Sequence, residues 1–260
     1  MIRKEKDGIV YYEFEHLAKT GLVRHCFSTR IGGVSQAPYD TMNLAYHMGD
    51  AQDQVDENFN RIAHAVRLDP AQITMTKQNH GSDVQVVAKG DAVIAKTDGL
   101  VTCEPGLVLT SYYADCVPLF FLDPIQGVVA NAHSGWRGTL AGIGANVVDQ
   151  MVRAFGSDPS KLLVGIGPSI CMNHFEVGKE VIDAFRLNHP SSQKHAKRKA
   201  NGKWHLDLTK IIVDQLLEKG ILCANIEVAD LCTFGNPDLF FSHRRDQNAR
   251  GNMAALLALN

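Results

Sequence analysis

Three short segments of this 260-residue chain combine reactive side chains with glycine: Gln78-Asn79-His80-Gly81, Tyr113-Ala114-Asp115-Cys116-Val117-Pro118 and Ala132-His133-Ser134-Gly135-Trp136-Arg137-Gly138. Together His80, Cys116 and His133 supply two imidazoles and one thiolate. That donor set suits Zn²⁺ with a fourth position left for water or substrate, as in catalytic rather than structural zinc sites. It is also the ligand set of mononuclear copper centres. Spacing alone does not select the trio: 116 − 80 gives 36, 133 − 116 gives 17, and no local motif such as H-E-x-x-H is present. A lone His or Cys beside a strand is more often core or capping material, so the residues by themselves leave both readings open.

Other polar residues offer weaker signals. Arg30, after Ser28-Thr29 and before Gly32-Gly33, can present its guanidinium fork to an anion such as phosphate, or serve as an exposed turn arginine. Arg137 begins a helix after the His133 turn, where backbone N–H groups also favour anions. Trp136 reads first as a packing residue. Asp98-Gly99 is most simply a turn, and Ser242-His243-Arg244-Arg245-Asp246 a surface ion-pair cluster. The basic stretch between Asn188 and Lys203 reads as a solvated loop.

The elements that must hold these groups follow from periodicity. Strands are expected at Ile9 to Phe14, Leu22 to Ser28, Ile73 to Thr76, Asp83 to Ala88, Leu107 to Tyr113, Val117 to Leu122, Gly127 to Ala132, Leu162 to Ile166 and Ile226 to Ala229. The central ones are apolar almost without interruption, as in strands covered on both faces. Val55, Phe59, Ile62 and Val66 recur at helical steps within Asp53 to Leu68. A second helix is expected from Thr139 to Phe155, with others at Val177 to Leu187 and Leu208 to Lys219. Met253 to Leu259 fits strand or helix. Nothing divides the chain, so residues 1–260 read as one α/β (α+β) domain with a mixed sheet and helices outside it.

Composition bounds the function. Lys and Arg number 26 against 28 Asp and Glu, a formal charge of −2, and the isoelectric point near 6.6 gives no electrostatic reason to expect nucleic acid or an anionic membrane as partner. No apolar stretch is long enough for a signal or a membrane anchor, and the six cysteines are scattered without a C-x-x-C pair. A cytoplasmic protein with free thiols is expected.

Read in order along nearly the whole chain, the motifs resemble one family. Arg24-His25-Cys26-Phe27-Ser28-Thr29-Arg30-Ile31-Gly32-Gly33-Val34-Ser35 resembles its N-terminal motif, and Tyr39-Asp40-Thr41-Met42-Asn43-Leu44 follows. Gln78-Asn79-His80-Gly81, Asp98-Gly99-Leu100-Val101-Thr102, Ala114-Asp115-Cys116 and His133-Ser134-Gly135-Trp136-Arg137-Gly138 are similar to its central block. Gly165-Ile166-Gly167-Pro168-Ser169-Ile170, Phe175-Glu176-Val177-Gly178, Cys232-Thr233 and Phe241-Ser242-His243-Arg244-Arg245-Asp246 are similar to the rest. The family is that of the laccase-domain or multicopper polyphenol oxidase-like proteins, later described as purine nucleoside phosphorylases. Departures are Asn79 where Val is common, Ala45 where Gly often follows Asn-Leu, and Asn252 where Arg is usual, with Arg250 two residues earlier.

The resemblance implies a layered α/β sandwich and zinc on His80, Cys116 and His133. It also implies phosphorolysis of adenosine, inosine and methylthioadenosine, with adenosine deamination beside it. On that reading Arg30 or Arg137 takes the phosphate, Asn43 fixes a hydroxyl or base edge, and Asp115 stands in as proton shuttle, since no H-x-E pair occurs. Purine nucleosides and phosphate are then the partners. Two rivals come from other reaction classes. A copper polyphenol oxidase conflicts with the lack of any H-x-H pair among eleven histidines. A Cys-His hydrolase would use Cys116 as nucleophile with His133 or His80 as base.

Overall fold

Alternation within single strands sets the layering. In Val117–Asp123, the side chains of Val117, Leu119 and Phe121 join one apolar cluster, and those of Phe120 and Leu122 join another. Successive side chains of a strand point to opposite faces, so this strand is covered on both sides. The computed structural model, which describes residues 1–260, shows what covers it.

Two mixed sheets are stacked face to face. One has seven strands in the spatial order Ile2–Lys6, Ile9–Glu13, Val23–Ser28, Met253–Leu259, Val108–Tyr113, Ile73–Lys77, Val93–Ala95. The other has six, in the order Ile226–Val228, Leu163–Ile166, Val117–Asp123, Val128–Ser134, Gly99–Thr102, Val84–Val86. Between them Phe14, Phe27, Leu109, Tyr113, Phe120 and Leu257 form a shared core. The helix Gln52–Val66 covers the outer face of the first sheet through Val55, Phe59 and Ile62. The helices Ile143–Phe155, Lys179–Asn188 and Leu208–Glu218 cover the outer face of the second. The expected fold class holds, with two mixed sheets where one was anticipated. Apolar runs reveal that a strand is buried on both faces, but not whether a helix or a second sheet does the covering.

Local differences have local causes. The helix expected from Thr139 to Phe155 is two pieces, Trp136–Leu140 and Ile143–Phe155, broken where Gly142 adopts φ +72°. Met253–Leu259 is a central strand paired to Val23–Ser28 and Val108–Tyr113. The basic stretch is not a plain loop. Ala196–Arg198 and Trp204–Leu206 pair as a hairpin in a third, three-stranded sheet, where Lys199 and Lys203 meet Glu176. No helix is long and apolar enough to cross a membrane.

His25 lies within the stacked sheets, 2 % exposed, and its Nε2 accepts the backbone N–H of Phe14 at 2.8 Å. Burial and the neighbouring His16 drive its pKa down to about 4. The folded value lies below the unfolded one, so the unfolded chain binds the extra proton and stability falls as pH drops from about 6.5 toward 4. Denaturant unfolding across this range should give a slope approaching ~1.4 kcal/mol per pH unit from this group, and His25→Gln should flatten it. An unchanged slope in the variant would contradict the assignment.

Candidate metal centre and its cavity

Antiparallel register brings two of the three donors together. Ser134 pairs with Val117 and His133 with Pro118, so Cys116, one residue before its strand, lies beside the end of the strand that carries His133. His80 arrives from the other sheet, in the turn that follows Ile73–Lys77. Gln78 anchors that turn by donating from Nε2 to the Tyr112 carbonyl at 3.0 Å and accepting the Tyr112 N–H at 2.8 Å. The donor atoms of His80, Cys116 and His133 lie within 4.8 Å of one another, and the two imidazole rings meet edge to face with centroids 4.8 Å apart. Glycines make the approach possible. A Cβ on Gly135 would stand 2.9 Å from His80 Nδ1 and 3.2 Å from Cys116 Sγ, and one on Gly138 only 2.8 Å from the Gly81 carbonyl oxygen.

Asp98 organises the trio. Its carboxylate accepts the backbone N–H groups of Asn79, His80 and Gly81 at 3.1, 3.1 and 2.9 Å, and meets His133 Nδ1 at 2.8 Å. His133 Nδ1 is thereby engaged, which leaves Nε2 free to ligate a metal ion, as in the carboxylate–histidine arrangement of metal sites. Burial alone would raise the Asp98 carboxyl, but the hydrogen bond and charge of His133, with the N–H groups of Gly81 and Asn79, hold it below the ordinary carboxylate range. Burial would likewise push the Cys116 thiol up and His133 down. Their mutual attraction, aided by His80 on one side and Asp98 on the other, reverses both. A thiolate poised at its ordinary working state is what a divalent ion requires.

The trio opens into a cavity of about 630 Å³, within the range of small-molecule sites. Tyr46, Tyr112, Met75 and Val93 give it aromatic and apolar walls, Lys77 and Arg250 give it positive charge, and His243 and Asn252 add polar groups.

The matches to known proteins follow this geometry. Residues 24–260 match a family model described as multi-copper polyphenol oxidoreductase laccase. The chain belongs to this family. It is 36% identical over 242 residues to the purine nucleoside phosphorylase YlmD of Bacillus subtilis, covering 90% of this chain and 87% of that one. It is also 36% identical over 237 residues to the purine nucleoside phosphorylase YfiH of Escherichia coli, covering 91% and 94%. The crystal structure of YlmD from Geobacillus stearothermophilus superposes with a TM-score of 0.92 at 32% identity, covering 99% of this chain and 98% of that one.

Arg30, Arg137, Asn43 and Asp115 do not line this cavity. Arg30 is committed elsewhere: Nε donates to the Asp40 carbonyl, Nη1 to the Pro237 carbonyl and Nη2 to the Asp40 carboxylate, with the guanidinium 4.8 Å from the centre of the Phe241 ring. Arg137 is exposed and lies over Trp136. Asn43 is fully buried and bonded internally. Its Oδ1 accepts the N–H groups of Ala45 and Asn252, so it fixes Asn252, which does line the cavity. Asp115 does not line it either. Its carboxylate accepts Thr233 Oγ1 at 2.6 Å, Ser242 Oγ at 3.0 Å and the Arg244 N–H at 2.7 Å, which ties the 233–244 segment beside Cys116.

Two residues that matter were read otherwise from the sequence. Asp98 was expected only to make a turn, because Asp-Gly is a turn signal and its partners lie 17 and 35 residues away. Arg250 carries no expected role in the sequence reading, which notes it only as standing two residues before Asn252. Its Nη1 donates to the Gly251 carbonyl and to Asn252 Oδ1, Nη2 faces His243 Nδ1 at 3.3 Å, and Nε is buried without any partner.

Loss of the organising carboxylate has a measurable consequence. Asp98→Asn should weaken zinc binding about 10–100-fold in competition with a chromogenic chelator, the usual effect of losing such a partner. Gly135→Ala should also weaken it, through the His80 and Cys116 contacts. Wild-type affinity in both variants would show that neither residue shapes the site.

Proposed function

We propose that the protein is a purine nucleoside phosphorylase that cleaves adenosine, inosine and S-methyl-5′-thioadenosine with inorganic phosphate. The observation that carries this reading is one cavity that joins the His80–Cys116–His133 donor set to two cationic side chains, Lys77 and Arg250, and to the aromatic rings of Tyr46 and Tyr112. Relatives named purine nucleoside phosphorylases at 36% identity over about nine tenths of the chain support it.

In phosphorolysis the C1′–N9 bond breaks as a phosphate oxygen bonds to C1′. The electron pair leaves with the base, which takes up a proton, and the products are free purine and ribose 1-phosphate or its methylthio analogue. Arg250, whose guanidinium lines the cavity, offers the phosphate a fixed positive charge, and Lys77 adds a second. Tyr46 and Tyr112 supply aromatic faces and edges for the base. Burial and the nearby Arg250 hold His47 below its ordinary pKa, so at neutral pH it is an uncharged imidazole offering one donor and one acceptor to a base edge. Asn252, held by Asn43, presents an amide to the same space. His80, Cys116 and His133 would hold zinc, and the same donors also suit copper. When bound, the ion supplies Lewis-acid chemistry at the point where charge develops. Adenosine deamination is proposed as an accompanying activity of the same cavity.

A polyphenol oxidase needs several coppers in concert. The chain's His and Cys groups number two, with three donors each, and contain no H-x-H pair. Cys116 as a hydrolytic nucleophile conflicts with its place between two imidazoles that can share a metal with it.

Metal-analysed protein given adenosine or inosine, with and without phosphate, tests the proposal. Phosphate-dependent adenine and hypoxanthine are expected, and inosine formed from adenosine without phosphate would report the deaminase. Cys116→Ala should abolish turnover. Arg250→Ala should raise the KM for phosphate about 10–100-fold, the worth of one charge-assisted hydrogen bond of roughly 1.5–3 kcal/mol. Folded, metal-loaded protein that released no base would overturn the reading.

A further inference from the structure

A second group of soft metal ligands lies apart from the cavity. Cys171, His174 and Cys232 place two sulfurs and one ring nitrogen within 4.8 Å of one another. None of the three lines the cavity. His174 Nδ1 lies 3.3 Å from Cys171 Sγ and 3.3 Å from Cys232 Sγ. Around a tetrahedral zinc with Zn–S of about 2.3 Å and Zn–N of about 2.0–2.1 Å, ligand atoms stand roughly 3.5–3.8 Å apart, so only small movements would seat the ion.

The backbone prepares this arrangement. The segments carrying the two cysteines run side by side, bridged between Ser169 and Cys232, with Ser169 N donating to the Leu231 carbonyl and Thr233 N to the Ser169 carbonyl. The turn after Cys171 returns on itself, its carbonyl accepting the N–H groups of His174 and Phe175 at 3.0 Å, which sets the His174 ring over the sulfurs. The Cys171 N–H donates to Cys232 Sγ at 3.3 Å, a contact that favours negative charge on sulfur. Phe234 stacks on the imidazole with centroids 4.5 Å apart, fixing its plane. All three ligands are half-buried, so an ion can reach them from solution.

We propose that Cys171, His174 and Cys232 form a second zinc site, a staple between the 171–174 turn and the 232–235 segment. Two thiolates and one imidazole select a thiophilic d¹⁰ cation over calcium or magnesium, and the fourth position falls to a water. The staple acts on ground that the first site shares. Thr233, next to Cys232, holds the Asp115 carboxylate, and the His174 carbonyl accepts Arg244 Nη1, one residue from the cavity-lining His243.

Metal counting tests this directly. Full-length protein loaded with zinc under reducing conditions and desalted should carry two ions per chain by mass spectrometry of the elements. His80→Ala/Cys116→Ala, which leaves the staple intact, should carry one. Cys171→Ser/Cys232→Ser should also carry one, with a Tm several degrees lower. Cobalt in the His80→Ala/Cys116→Ala protein should give an intense thiolate-to-cobalt charge-transfer band, which keeps the test decisive if the serine variant does not fold. A metal-free His80→Ala/Cys116→Ala protein would overturn the proposal. So would a Cys171–Cys232 disulfide in the reduced, metal-exposed protein.

Discussion

The site depends on one buried carboxylate. Asp98 is wholly inaccessible to solvent, and a buried charge survives only when it is paired and hydrogen-bonded. Its partners are three consecutive N–H groups of the 79–81 turn and the imidazole of His133, so satisfying the charge joins the turn of one sheet to the strand end of the other. His80 adopts φ +59° in that turn, a conformation rarely taken by residues with a side chain, and the carboxylate is what holds it there. Remove the charge and both histidines lose their orientation together.

Asp115 plays the matching part on the other side of Cys116. It too has positive φ, at +89°, and its carboxylate gathers Thr233, Ser242 and the Arg244 N–H from a distant part of the chain. Cys116 therefore sits between two carboxylate-anchored turns of positive φ, at His80 and Asp115, each beside the end of a rigid strand. Such support fixes ligand geometry more closely than loops alone can. The stacked sheets supply the rigidity, since Val117–Asp123 and Val128–Ser134 are buried along their whole length.

The sequence made the strands and helices legible wherever burial imposed a period, as in Val55, Phe59 and Ile62, and less so where one glycine decided the matter, as at Gly142. His80, Cys116 and His133 were legible as a possible donor set through their residue types and the family resemblance, whereas Cys171, His174 and Cys232 were not. Nor was the arginine proposed to meet phosphate. Arg30 and Arg250 are alike as letters, each next to a glycine or one residue from it, and only the fold reveals that Arg30 meets Asp40, Pro237 and Phe241. Asp98 was hidden by the opposite effect, a local turn signal masking long-range partners. Register places Cys116 beside His133, but nothing local to either residue announces that pairing.

What separates a structural arginine from a binding one is the hydrogen-bonding capacity the fold leaves over. Arg30 gives Nε, Nη1 and Nη2 to protein acceptors and retains little for a ligand. Arg250 is half-buried, with its Nε inaccessible and unpartnered, and an unsatisfied buried donor costs about 1–3 kcal/mol. On the proposed reading the Arg250 guanidinium, which lines the cavity, is the group that meets the phosphate. Asn252 reinforces the point. Its amide oxygen takes Arg250 Nη1 and its backbone N–H is held by the buried Asn43. Arg250 thus brings a charge to the cavity wall, and Asn252 holds its guanidinium in place.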